Sequence, residues 1–211
     1  MSLPRVMEPE PRDTQRKEVA MSSTQRGAVR SCAQQLIEIL DEVGNDVLTK
    51  EKEITAVMQE LLAIPGLDTV SASPSTATSG GPFSTGWIYY DCDLRIVRGI
   101  VDTGFVQRPH NHGTWNIFGI YSGAMHYRSY ARDDDGSVPF HAELRIAEDR
   151  IMTAGDVTVL PAPPGDMHAT ATLAPGTVSL LVAREQFNAV RQQYLPELNA
   201  YYEVDAETAA R

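Results

Sequence analysis

The chain has 211 residues, 42% hydrophobic and 22% charged, enough to bury one sizeable core plus a modest appendage. Its net charge of −10, from 28 acidic against 18 basic residues, opposes a phosphate backbone or an anionic bilayer, so neither nucleic acid nor membrane is an expected partner. No apolar run reaches a membrane span, the opening MSLPRVMEPEPRDTQRKEVA lacks the core of a secretory signal, and two cysteines (Cys32 and Cys92) make no disulfide framework, so the expected compartment is cytoplasmic.

Residues 1–25 are polar, charged and proline-bearing and read as a disordered extension. Residues 26–66 read as a helical segment. Val29, Cys32, Ala33, Leu36, Ile37 and Leu40 recur at three- and four-residue steps, and Gly44-Asn45 ends the pattern. Thr49 is the candidate cap of a second helix, with Glu51 and Glu53 at the positive end of its dipole; Lys52 stands where a capping box would need an acid or amide. Ile54, Val57, Met58, Leu61 and Leu62 form its apolar stripe, Pro65-Gly66 stops it, and the pair is expected to pack on the outside of the β structure that follows. Residues 67–86 are rich in Ser, Thr, Gly and Pro and read as a loop. Residues 87–184 alternate short β-branched and aromatic runs with glycine and aspartate turns, the pattern of an all-β barrel or sandwich. In 185–211, REQFNAVRQQYL reads as a terminal helix stopped by Pro196, followed by an acidic tail.

The chemistry concentrates in GFVQRPHNHGTWNIFGIYSG, Gly104–Gly123. His110 and His112 are one residue apart, so on a strand both imidazoles point the same way and can share one metal ion. The third ligand expected is His168, in GDVTVLPAPPGDMH, which reads as strand, turn and histidine. Asn116 has the same strand parity as the histidine pair and is expected to face the metal; Trp115 is expected to pack on the outer side or beneath the helices. His126 and His141 have no such frame, and His126 with Arg128 is expected at the surface or rim.

Gly104, His110, His112, Asn116 and Gly123, at this spacing, resemble the first cupin motif; Gly155, the turn Pro161–Gly165 and His168 resemble the second, with a longer turn and Thr172 in place of a final Asn. The resemblance covers roughly residues 28–185. It implies a mainly β fold, a cupin double-stranded β-helix barrel with an N-terminal helical segment. Asn116 stands where many cupins place a glutamate ligand, which leaves a three-histidine site. With Trp115 and the helical segment, that site is similar to the cysteine dioxygenase-like thiol dioxygenases, and PHNHGTW with GAMHYRSY also resembles their aminothiol branch.

The resemblance implies Fe(II) at His110, His112 and His168, with another divalent metal as the alternative, and a small-molecule substrate with dioxygen as partners; homo-oligomerisation is left open. Three neutral ligands leave the metal its full charge, which favours an anionic chelating substrate such as a thiolate, an enolate or a carboxylate. Three features of the cysteine-specific enzymes are missing. Ser179 is followed by Leu181 and Ala183, so there is no Ser-x-His-x-Tyr triad. Cys92 precedes the metal motif, so no cysteine–tyrosine cross-link is indicated, and no arginine stands near Trp87–Asp91. Tyr89, Tyr90 and Asn116 are the candidate catalytic residues; Arg98 and Arg108 are candidate anion-binding substitutes, and Phe118 and Leu181 candidate apolar pocket residues. The expected reaction is oxidation of a small organic thiol to a sulfinate. The alternatives are an oxygenase acting on another anionic chelate, such as a β-dicarbonyl, or a non-catalytic cupin that binds a metal or small ligand.

Overall fold

The computed structural model describes residues 19–70, 73–74, 83–91, 93–102, 104–184 and 189–205. Helix α1 spans Ser23–Val43 and starts ahead of its apolar stripe, because Ser22 and Gln25 form a reciprocal capping box: Gln25 N–H donates to Ser22 Oγ (3.2 Å) and Ser22 N–H to Gln25 Oε1 (2.8 Å). Ser22 to Gln25, expected within a disordered extension, instead cap and open this helix; residues 1–18 lie outside the described residues. Thr49 does not cap the second helix. Its hydroxyl donates to Asp46 O inside a 3-10 turn, Val47–Lys50, and α2 (Glu51–Leu62) follows with Glu51 and Glu53 in its first turn.

The strands are β1 (Ser73–Pro74), β2 (Phe83–Tyr90), β3 (Arg95–Val101), β4 (Val106–His110), β5 (Asn116–Ser122), β6 (Ala124–Arg132), β7 (Leu144–Thr153), β8 (Val157–Leu160), β9 (His168–Thr172), β10 (Thr177–Ala183), β11 (Val190–Leu195) and β12 (Ala200–Asp205). They form two antiparallel sheets, ordered β1-β2-β3-β10-β5-β8 and β12-β11-β4-β9-β6-β7. Successive strands from β3 onward cross repeatedly between the sheets. This is the double-stranded β-helix barrel of the cupin fold, carrying an N-terminal helical layer.

Side-chain alternation sorts the first sheet into two faces. Trp115, Ile117, Leu180, Val182, Ile96 and Leu94 pack against both helices in one buried cluster. Phe118, Ile120, Val101 and Leu160 point the other way and meet Met125, Tyr127 and Met152 of the second sheet inside the barrel. Gly119 lies where α2 presses closest: a Cβ there would come within 2.8 Å of Leu62 Cδ1 and 3.2 Å of Met58 Cε. The chain leaving α2 is fastened to the same sheet, since Tyr121 Oη donates to Ile64 O (2.9 Å) and accepts from Leu67 N–H (3.2 Å).

Two boundaries differ from the sequence expectation. The segment expected as loop over 67–86 already contains β1 and the start of β2. The expected C-terminal helix is a hairpin: β11 pairs with β12 over Val190–Leu195, and Tyr194 and Tyr201 face each other across it and pack on Tyr130, Ala142 and Met167. Cross-strand aromatic packing outweighs the helical propensity of the glutamines and arginine there. Residues 185–188, Cys92 and the tail beyond 205 lie outside the described residues. No helix among the described residues is long and apolar enough to cross a membrane.

Candidate metal centre

His110 ends β4 and His168 begins β9, and the two are direct cross-strand partners, so their side chains leave the sheet on one face. His112 is not on the strand with His110. It sits in the turn between β4 and β5, where Gly113 takes a left-handed φ of 80°. Asp166 brings it in: the carboxylate Oδ2 accepts from the backbone N–H groups of His112 (2.9 Å) and Gly113 (2.6 Å). One aspartate from the turn ahead of His168 thus holds the turn that carries His112, so the two motifs are tied by a buried carboxylate rather than by strand alternation alone.

The three imidazoles converge. Their ring centroids are 4.6–4.9 Å apart, each residue is at most 4% exposed, and one ligand atom from each lies within 4.8 Å of the others. His110 Nδ1 lies 2.9 Å from Arg108 O, so Nδ1 carries the proton and the Nε2 lone pair faces inward, 3.1 Å from His112 Nε2. Two nitrogens bound at right angles to one ion, each about 2.1 Å away, would stand about 3.0 Å apart. All three imidazoles are held neutral. Burial pushes His110 down to about 4 and drives His112 and His168 well below their ordinary value; the guanidinium of Arg191 acts in the same direction on each. Buried, neutral and converging, these donors fit one divalent transition metal.

Inside the barrel beside them, Asn116 opens β5 opposite Leu160, on the same face as Phe118 and Ile120. It is fully buried, and neither its Oδ1 nor its Nδ2 has a hydrogen-bond partner. Phe118 stacks 6.4 Å from His168, and Leu181 is partly buried against the same interior cluster. Asn116, Phe118 and Leu181, all named from the sequence, thus lie on the barrel-facing side of the first sheet.

Four other candidates sit elsewhere. Arg98 shares a face with Ile96 and points to the helical layer, where its guanidinium donates to Leu67 O, Asp68 O and Val70 O and secures the segment after α2. Tyr89 packs on the same layer, and its hydroxyl donates to Asp91. Tyr90 is 68% exposed, set edge-on to Trp87. The Arg108 side chain is exposed; its contribution to the site is its backbone carbonyl. The physical reason is common to Tyr89 and Arg98: both lie on the face of the first sheet that the helices cover. His126 and Arg128, as expected for a rim, share Asp149 at the surface.

Three groups at the centre escape the sequence reading. Asp166 resembles any turn aspartate until its acceptors are known. Tyr127 is 1% exposed, its ring 5.9 Å from His168, and its phenol is pushed up to about 12, chiefly by burial; the parity of β6 could have found it. Arg191 lies in the stretch expected as helix.

No protein-family model and no curated protein sequence matches the chain. Among solved structures it is similar to KdgF from Halomonas sp. (19% identity, TM-score 0.41), over 55% of this chain and 96% of that one. It is also similar to the DMSP lyases RdDddP and RnDddQII (15%, TM-score 0.45), over 77% and 93% respectively. An RmlC-like cupin from Ralstonia eutropha JMP134 shows 13% identity and a TM-score of 0.42, over 64% and 73%. Topology and site together define a cupin-fold protein with a three-histidine cluster suited to a metal ion.

Proposed function

We propose that the chain is a non-haem Fe(II)-dependent dioxygenase that oxidises a small organic thiol to a sulfinate. One observation carries the reading: three buried imidazoles converge, and Asn116, an amide where many cupins place a carboxylate, is buried on the barrel-facing side of β5 with both amide atoms unpartnered. Bound Fe(II) would supply open coordination positions for a thiolate and dioxygen and the redox capacity that couples them.

The residues divide the remaining work. His110, His112 and His168 contribute no charge, so the site keeps an attraction for an anionic sulfur ligand. Asn116 has a free donor and a free acceptor with which to orient a polar substrate group. Phe118, Ile120 and Leu181 form an apolar wall that holds the carbon chain and excludes water. Tyr127 stays protonated at neutral pH; its ring stands 5.9 Å from His168, and its hydroxyl is hydrogen-bonded with Thr158 and Ser129. In the overall reaction the thiol proton leaves to solvent, the sulfur is oxidised, and both oxygen atoms of dioxygen are reduced and end on that sulfur.

The same neutral donors would serve an oxygenase acting on another anionic chelate, such as a β-dicarbonyl. Oxygen uptake by iron-loaded protein separates the two, using cysteine, cysteamine and 3-mercaptopropionate beside a β-diketone. Turnover of at least one thiol is expected. Turnover of the diketone alone, or of nothing, refutes the thiol reading.

A further inference from the structure

One row of side chains runs straight across the first sheet on its barrel-facing side. Phe118 of β5 is the cross-strand partner of Leu181 in β10, Leu181 of Val97 in β3, and Val97 of Trp87 in β2. Directly opposed residues leave a sheet on the same face, so the interior position of Phe118 and Leu181 places Val97 and Trp87 on that face too. The inner end of the row reaches the metal centre, where the Phe118 ring stacks 6.4 Å from His168. Along the row Phe118 is buried, but Leu181, Val97 and Trp87 are only partly covered. Their neighbours on the opposite face, Leu180, Val182 and Ile96, are fully buried under the helices. At the far end of β3 the interior face is closed, since Val101 is 1% exposed within the interior cluster. The barrel is therefore packed shut at Val101 and open above Val97. Trp87 is held in place at that opening: Arg95 Cζ lies 5.8 Å from its ring centroid, Tyr90 meets it edge-on at 5.4 Å, and Arg95 Nη2 donates to Arg184 O (3.3 Å).

We propose that this row is the subsite for an apolar tail. The ligand of the three-histidine centre then carries a metal-binding head and an alkyl or acyl chain that lies over Leu181 and Val97 and ends on Trp87. A partly covered apolar strip inside a barrel is surface that an apolar chain removes from water, and its continuity with the metal centre lets one ligand occupy both. Its inner end lies within the barrel against His168, which admits a single chain and not a protein surface. From Phe118 to Trp87 the row crosses three strand spacings, about 14 Å, the length of an extended chain of about ten carbons. The inference rests on the metal-chelating reading above and gives its substrate a long tail.

The test uses the full chain loaded with Co(II) and follows the cobalt visible spectrum, which reports ligand binding without turnover. Two homologous series are titrated, linear hydroxamates from acetyl to dodecanoyl and N-acylcysteamines over the same chain lengths. Affinity is expected to rise about 2- to 4-fold per added methylene until the tail reaches Trp87, and to level off beyond it. Val97→Asn is expected to flatten the rise from the middle of each series, and Trp87→Ala to flatten only its last steps. A wild-type affinity that ignores chain length, or a rise that both variants keep unchanged, overturns the proposal. Should the variants fail to fold, a hydroxamate brominated at the end of a decanoyl chain decides on the wild type. It is expected to quench the Trp87 part of the tryptophan fluorescence and spare Trp115, which is 2% exposed under the helices; no quenching, or equal quenching by a brominated propionyl homologue, overturns the proposal. A rise in the hydroxamate series with no thiol binding sinks the thiol reading and leaves the subsite standing. Thiols that bind without regard to chain length leave that reading standing and sink the subsite. Silence from both series overturns both.

Discussion

Replacing Asp166 tests how the site is assembled. The residue is 1% exposed, and its Oδ2 accepts from two backbone N–H groups, His112 at 2.9 Å and Gly113 at 2.6 Å. Asp166→Ala leaves both donors buried with no acceptor, at about 1–3 kcal/mol each, so the metal-free protein should lose about 2–6 kcal/mol. Asp166→Asn keeps an acceptor oxygen and loses only the charge assistance. That amounts to about 1–2 kcal/mol, part of it offset because burial already raises the carboxyl above its ordinary range and so disfavours its charged form. Because His112 rides on the turn that Asp166 holds, Co(II) affinity should fall about 10- to 100-fold in Asp166→Ala, the usual effect of removing an outer support of a metal ligand. Urea unfolding of metal-free protein reads the first quantity, and competition against a chelator reads the second. A variant within about 0.5 kcal/mol of wild type, the scatter of an ordinary surface substitution, with unchanged cobalt affinity would show that something else holds His112 in place.

Three further outcomes follow from the packing and the buried groups. Gly119→Val should destabilise the fold by about 1–3 kcal/mol, since the added Cβ meets Leu62 and Met58 at 2.8 and 3.2 Å; a neutral urea midpoint would refute the close seating of α2. Asn116→Leu replaces an unpartnered buried amide by an apolar group of similar size, so the metal-free protein should gain about 1 kcal/mol while thiol turnover falls; a clear loss of stability would mean the amide is satisfied in the fold. Metal-free protein should weaken as pH falls through the window from about 6.5 to 4. There the unfolded chain binds a proton that native His110, held down to about 4, does not, and His112 and His168 act in the same direction. His110 alone contributes about 3 kcal/mol across that window. Urea midpoints that stay flat between pH 7 and 5 would contradict neutral burial of the three rings.

The barrel and the metal triad were legible because both rest on short-range signals. Glycines at left-handed turns, period-two alternation and the spacing of His110, His112 and His168 are local properties of the chain. The helical layer was legible for the same reason, from the stripe Val29 to Leu40 and the stripe Ile54 to Leu62. What the sequence hid depends on contacts distant along the chain. Tyr89 and Arg98 looked like site residues because they occur early in the barrel, but the covered face of the first sheet claims them. Arg191 was invisible because VRQQYL has helical propensity, and only pairing with β12 and with the turn at Asn111 makes it a strand. Asp166 needed the positions of two N–H groups more than fifty residues upstream.

The central claim is that His110, His112 and His168 hold one metal ion between them. Elemental analysis of protein purified after growth in iron-replete medium tests it most directly, alongside the His110→Ala/His112→Ala double variant. One equivalent of transition metal per folded chain in the wild type, reduced to background in the double variant with the barrel's circular dichroism intact, is the expected result. A wild type that carries no metal and takes up none on reconstitution, or a double variant that keeps a full equivalent, would contradict the account.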